Sequence, residues 1–288
     1  AQTSALTITS TIATYGTTLT LTTTGGNGSG STSFVVDSGP CTVSGSTLFS
    51  TDAGTCMVTA TKAASGNYLA ASSTSTAITV NKGTPTISLA LPASATTATY
   101  GTAVTITATI SKAGRVTFKS DGTAITGCTL VSGSTTATCN WTPSAVNAST
   151  SLTADFAPTD SMNYANLNSA GTSTINVGKA VLSITASSHS VAYGAAVPEI
   201  TPAYSGFVNG DTSSVVTAPT CSTTYTTTTA VGSVASSCSG ATASNYSFTY
   251  TDGVITITQA AQTSALSVTS TIATYGSTLT LTTTGGNG

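Results

Sequence analysis

The chain has 288 residues, and only 14 carry a formal charge: six Lys or Arg and eight Asp or Glu, for a net charge of −2. Ordinary soluble domains are roughly 25% charged, so 5% charged is a large departure. One His and one Glu leave little for acid–base chemistry, and a near-neutral chain offers no electrostatic footprint for nucleic acid. Residues 1–36 and 212–251 carry no charge, yet Thr, Ser, Gly and Asn interrupt their apolar residues too often for a membrane span. Ala1 stands where a start Met would, and no signal peptide is visible.

The dominant feature is repetition. Residues 261–288 reproduce residues 1–28 with three conservative differences, Thr7 to Ser267, Ile8 to Val268 and Thr17 to Ser277, giving a period of 260 residues. Because Ala-Gln-Thr at the start recurs at 261–263, the chain reads as a window on a longer periodic protein. Inside the period a weaker repeat appears. Tyr-Gly recurs at Tyr15, Tyr100, Tyr193 and Tyr275, and Asn-Tyr at Tyr68, Tyr164 and Tyr246. Four segments follow: module 1 over 1–82, module 2 over 83–179, module 3 over 180–260, and the opening strands of another module 1 over 261–288.

In chain order, the elements alternate with a period of two. Leu6, Ile8 and Ile12 are placed on one face with Thr7, Thr9 and Thr11 opposite. In the second module Val104, Ile106, Ala108 and Ile110 alternate with Thr, and Leu152, Ala154 and Phe156 continue the pattern. In the third, Leu182, Ile184 and Ala186, then Ile255 and Ile257, do the same. No 3.6-residue period is present. Modules of this size with about seven short strands predict an all-β chain of tandem two-sheet sandwiches. Short junctions such as Gly178-Lys179-Ala180 predict a stiff rod.

The six cysteines fall in close pairs: Cys41 with Cys56, Cys128 with Cys139, Cys221 with Cys238. With no CxxC, zinc is not expected, and an even count reads as one disulfide per module in an oxidising, extracytoplasmic setting. Each such loop is worth on the order of 3 kcal/mol. Around Cys128 and Cys139, a two-residue turn at Gly133-Ser134 is predicted to set the two cysteines face to face in a hairpin.

Three stretches resemble known families. Cys41 to Cys56 with Gly66-Asn67-Tyr68 resembles the immunoglobulin-like repeat domains of giant bacterial surface proteins. Residues 114–125, 136–144 and Asn163-Tyr164 resemble the same group. Residues 182–194, 205–212 and 244–258 resemble the MBG domain of YGX type. The resemblance implies tandem extracellular β-sandwiches of a bacterium and implies no active site.

Chemistry is sparse. His189 stands alone and reads as a surface residue, Glu199 has no carboxylate partner, and the seven Asp residues form no Asp-x-Asp calcium cluster. No catalytic residue, cofactor or metal site is expected. Trp141 and Tyr15, Tyr68, Tyr100, Tyr164, Tyr193, Tyr246 and Tyr275 are read as core or corner anchors with hydroxyls bonded to backbone. Sequons at Asn27, Asn140, Asn147 and Asn245, and the many Ser and Thr, offer places for glycans.

Exposed sheet edges are normally guarded by charge, and these faces are neutral Thr and Ser ladders. The sequence therefore points to a non-catalytic repeat unit of an extracellular filament or cell-surface stalk, whose main partner is itself, laterally and in tandem. A 260-residue unit would extend on the order of 100 Å. The alternative is an adhesin binding a glycan or matrix surface.

Overall fold

The computed structural model describes residues 4–92 and 96–286. Among these there is no α-helix; short strands make three two-layer sandwiches and, beyond them, a two-stranded hairpin of Ser267–Val268 and Thr283–Thr284. The chain separates into two compact units. One comprises Ala1–Ala98, Thr102–Pro143 and Asn147–Val177; the other comprises Thr99–Gly101, Ser144–Val146 and Gly178–Gly288.

The first unit holds two sandwiches. In the N-terminal one, Ile12–Thr14, Thr76–Asn81, Gly54–Lys62 and Thr32–Ser38 neighbour one another in that order, with Ala71–Ser72 on the flank of Gly54–Lys62. The facing sheet runs Leu19–Thr20, Thr47–Ser50, Cys41–Ser44. Between them lie Leu6, Ile8, Leu21, Leu48, Val58, Ala60, Ile78 and Val80. Cys41 and Cys56 come from opposite sheets and are bonded, with Cα atoms 6.0 Å apart.

Alternation places Leu6, Ile8 and Ile12 on one face, but only the first two are buried; Ile12 is 65% exposed and Ala13 is buried instead. The cause is a break at Thr9–Thr11. Thr7–Ile8 pairs with Thr23–Thr24, whereas Ile12–Thr14 crosses to pair with Thr76–Asn81, so the parity resets between them.

In the second sandwich, Ile87–Ala90, Val104–Ile110 and Thr136–Trp141 form one sheet. The other is built around Gly114–Ser120 and Asn147–Pro158, the latter paired with Leu167–Gly178. Ile106, Ala108, Ile110, Val116, Phe118, Leu152, Phe156 and Trp141 are buried there. The predicted hairpin at Gly133-Ser134 is not formed. Val131–Gly133 pairs with Gly114–Val116, while Thr136–Trp141 pairs with Val104–Ile110 in the opposite sheet. Ala137 and Cys139 are buried inward-facing residues of the strand in that opposite layer. Cys128 and Cys139 are bonded, Cα atoms 5.5 Å apart, and Cys128 reaches across from the loop whose carbonyl accepts the Phe118 N–H.

The third sandwich lies in the second unit. Pro202–Ser205, Ala180–Ala186 and Tyr246–Thr251 form one sheet; His189–Ala192, Gly253–Thr258, Gly232–Ser239 and Thr220–Thr223 form the other. Leu182, Ile184, Ala186, Ile255 and Ile257 face inward, as their alternation requires. Cys221 and Cys238 are direct cross-strand neighbours and are bonded.

One topological detail positions the Tyr-Gly turns. Ile12–Thr14 runs parallel to the last strand of its sandwich, Thr76–Asn81, and His189–Ala192 runs parallel to Gly253–Thr258. Parallel strands end at the same edge. The Tyr-Gly turn following the early strand is therefore delivered to the end where the chain leaves the sandwich.

Candidate functional site

The Tyr-Gly turns sit against the exits of the sandwiches in the same way. Tyr15 N–H donates to the Asn81 carbonyl at 2.8 Å, Tyr100 N–H to Gly178 at 2.9 Å, and Tyr193 N–H to Thr258 at 2.8 Å. The glycine that follows is left-handed each time, with φ of 83° at Gly16, 73° at Gly101 and 84° at Gly194, a conformation few other residues accept.

Within the first unit, Tyr15 meets the Asn-Tyr pair at 163–164. The Tyr15 and Tyr164 rings are 5.4 Å apart at 84°, an edge-to-face contact. Gly83 N–H donates to the Asn163 carbonyl at 2.8 Å, and Ala165 N–H returns to Gly83 at 3.0 Å. Lys82 Nζ donates to the Ser161 carbonyl. Asn163 is buried and fully bonded: its Oδ1 accepts from Ala53 N–H at 2.7 Å, and its Nδ2 donates to Asp52 and Asp160. Lys112 lies 4.8 Å over the Tyr164 ring, and the Tyr164 hydroxyl holds its ammonium above the usual lysine range.

Within the second unit the same set recurs around Asn245-Tyr246. Tyr100 and Tyr246 are 5.6 Å apart at 83°. Ala180 N–H donates to the Asn245 carbonyl, Lys179 Nζ to the Ala243 carbonyl, and Val146 N–H to Asn245 Oδ1 at 3.2 Å. Here the two hydroxyls share one carboxylate: Tyr100 Oη and Tyr246 Oη donate to Asp211 Oδ2 at 2.9 and 2.8 Å. Tyr246 also accepts from Val208 N–H at 3.0 Å. Burial pushes its phenol up; the Val208 N–H works against this and the Asp211 carboxylate adds to it.

The third Tyr-Gly turn stands differently. Tyr193 is 47% exposed and lines a cleft with Gly194, Val231, Gln259, Ala260, Ala261 and Gln262. Residues 182–256 match the MBG domain (YGX type). The match begins at Leu182 and takes in Tyr193-Gly194, Asn245-Tyr246 and both Cys221 and Cys238, so the MBG segment carries one complete set of the repeated features. An MBG segment joined to disulfide-stapled sandwiches belongs with the structural or adhesion modules of surface proteins.

No curated protein is similar to the chain in sequence. Among solved structures, the fibronectin(III)-like modules of Clostridium thermocellum CbhA are 19% identical, covering 60% of this chain and 92% of theirs with a TM-score of 0.26. Drosophila N-cadherin EC1-4 is 11% identical, covering 90% of this chain and 76% of its own, TM-score 0.26. A putative membrane anchored protein from Corynebacterium diphtheriae is 14% identical, covering 82% and 62%, TM-score 0.30.

The tyrosines expected as anchors within each module fall into two groups. Tyr100, Tyr246 and Trp141 are buried, and Tyr15 and Tyr164 are partly buried against one another. Tyr68, Tyr193 and Tyr275 are 39%, 47% and 105% exposed and anchor no core. The reason lies in the pairing: each contact joins a Tyr-Gly turn to an Asn-Tyr corner about 150 residues away, so a tyrosine is covered only where its opposite number is present. Spacing alone did not reveal this, although the recurrence of both dipeptides once in every module of the 260-residue period was the available signal.

His189 Nε2 lies 2.9 Å from Ser187 Oγ, partly buried on the first residue of its strand, with no carboxylate in the arrangement. Among the described residues no three His, Cys, Asp or Glu side chains converge as a metal site, and no helix is long and apolar enough to cross a membrane. Asn245 and Asn147, two of the sequon residues, have their side chains engaged, with Val146 N–H and with the Asp121 carboxylate.

Proposed function

We propose that the chain is a non-catalytic structural repeat unit of a giant extracellular bacterial filament or cell-surface stalk. The observation that carries this reading is the recurring tyrosine contact: the same five-part arrangement is built twice, at Tyr15–Tyr164 and at Tyr100–Tyr246. A device that recurs from one module to the next serves continuation of a repeat. The neutral surface supports the same reading. On the surface, Thr and Ser hydroxyls pair with one another within the chain, as at Thr9–Thr22 and Thr61–Ser72, so these faces are polar without being charged. Contacts between uncharged faces are insensitive to salt, unlike contacts between charged ones.

Electron microscopy of the isolated material at low and high salt tests the proposal. Ordered fibres with a regular axial repeat that survive high salt are the expected result. Dispersed particles at every salt concentration would overturn the filament reading.

A further inference from the structure

Residues 261–286 are folded as the opening of a module whose apolar side chains are exposed. Ser267–Val268 pairs with Thr283–Thr284 in the register of Thr7–Ile8 with Thr23–Thr24. Thr269 N–H donates to Thr282 O at 2.9 Å as Thr9 does to Thr22, and Gly286 N–H to Ser264 O at 3.1 Å as Gly26 does to Ser4. Thr282 N–H donates to Ser270 Oγ as Thr22 N–H does to Ser10 Oγ, both at 2.9 Å. The hairpin has its final conformation, and its apolar face is bare. Leu266, Val268 and Leu281 are 68%, 54% and 68% exposed, against 3%, 6% and 3% for Leu6, Ile8 and Leu21.

What covers that face is fixed by the first copy. Leu6, Ile8 and Leu21 are buried against Leu48, Val58, Ala60, Ile78 and Val80, all within residues 29–82. The cleft beside Tyr193 asks for the same occupant. Val231 immediately precedes the strand Gly232–Ser239, as Ala53 precedes Gly54–Lys62 and Val146 precedes Asn147–Pro158. Ala53 and Val146 each give their N–H to an asparagine side chain of an Asn-Tyr pair. Gln259 occupies the place of Lys82 and Lys179, which each donate to the carbonyl two residues before that asparagine. The unmatched Asn-Tyr corner is Asn67-Tyr68, where Ser65 and Tyr68 are closed into a turn by mutual backbone bonds and Tyr68 is exposed.

We propose that residues 261–286 and the Tyr193 cleft form one docking surface for a second copy of residues 29–82 continuing in the same polypeptide. Tyr68 of that copy lies edge-on to Tyr193, its Asn67 side-chain oxygen accepts the Val231 N–H, and Gln259 donates to its Ser65 carbonyl. Covalent continuity through the hairpin favours this source, because it holds the second copy at high effective concentration. The inference deepens the repeat-unit reading and rests on it.

The test is hydrogen exchange, read by mass spectrometry on dilute chains, so it stands or falls separately from fibre formation. It compares the 288-residue chain with the same chain extended past Gly288 by a second 29–82. Extension is expected to slow exchange over 266–284 by at least about 100-fold, to the level of 6–24. In the extended chain Tyr193→Ala should return roughly three- to tenfold of that protection, and Tyr193→Phe should keep it, because the contact is through the ring. In the unextended chain Tyr193→Ala should change nothing, which separates lost docking from lost folding. Unchanged exchange over 266–284 on extension would overturn the proposal. So would protection in the unextended chain that grows with concentration, which assigns the occupant to a separate chain. An inert Tyr193→Ala in the extended chain would overturn the cleft's part in it.

Discussion

Tyr246 concentrates the chemistry of the second unit in one side chain. Its phenol is buried beside the Asp211 carboxylate and Tyr100, so the neutral form is favoured and its pKa in the folded chain is raised. A raised folded pKa gives stability that is whole below the unfolded value, about 10 for tyrosine, and is lost as pH rises beyond it. The urea midpoint for the unit holding residues 178–288 should therefore fall between about pH 9.5 and 11 more steeply in the native chain than in Tyr246→Phe. Equal slopes would show that the hydroxyl cluster is not felt. Asp155 behaves with the opposite sign. Burial works against its ionisation, yet Lys119 at 2.6 Å and the Ser169 N–H hold its pKa below the usual carboxylate value, so its contribution is present above about pH 4 and lost as pH falls through its folded pKa. None of this was legible from the sequence, where Asp211 and Asp155 are two among seven scattered aspartates.

At the scale of elements, the Tyr-Gly turns separate backbone demand from packing demand. A Cβ at Gly194 would meet nothing within 4 Å, whereas at Gly101 it would fall 2.2 Å from Val208 Cγ2. Both residues are left-handed, so both alanine variants bear the backbone cost of roughly 1 kcal/mol. Gly101→Ala adds a clash in the tyrosine contact, of roughly 1–3 kcal/mol more. Thermal unfolding should rank Gly101→Ala clearly below Gly194→Ala; equal losses would contradict the placement of Val208. The disulfides give a second test. Cys128→Ala with Cys139→Ala opens the link between the loop at Cys128 and the strand Thr136–Trp141, with a sequence separation of 11. The loss should be about 3 kcal/mol by denaturant titration; a loss under about 0.5 kcal/mol would show that the link constrains nothing. Period-two alternation identified the inward faces of Ile106–Ile110, Leu152–Phe156 and Leu182–Ala186, because each strand there is long enough to hold one parity. It misplaced Ile12 and the Gly133-Ser134 hairpin for a common reason. In both places the chain changes sheet within a few residues, and local alternation carries no information on which layer a strand joins.

At the scale of the whole molecule, the repeat was plain in the sequence and its use was not. A period of 260 residues and the recurring Tyr-Gly and Asn-Tyr pairs can be read by comparison of segments. That the first dipeptide of one sandwich meets the second dipeptide of the following one depends on the parallel pairing of early and last strands, which no local pattern states. The low charge was legible as an absence of guarded edges, and it predicts that association varies little with ionic strength.

The contact between Tyr15 and Tyr164 is the most direct point of attack on the account, because every further junction is argued from it. A double-mutant cycle with Tyr15→Ala and Tyr164→Ala, followed by chemical denaturation of the full chain, isolates the pair from the rest of each sandwich. The expected coupling is about 0.5–1.5 kcal/mol, as for edge-to-face rings, with none between Tyr68→Ala and Tyr193→Ala in the same chain. Additive losses at Tyr15 and Tyr164 would contradict it, and would reduce the recurring tyrosines to separate surface residues.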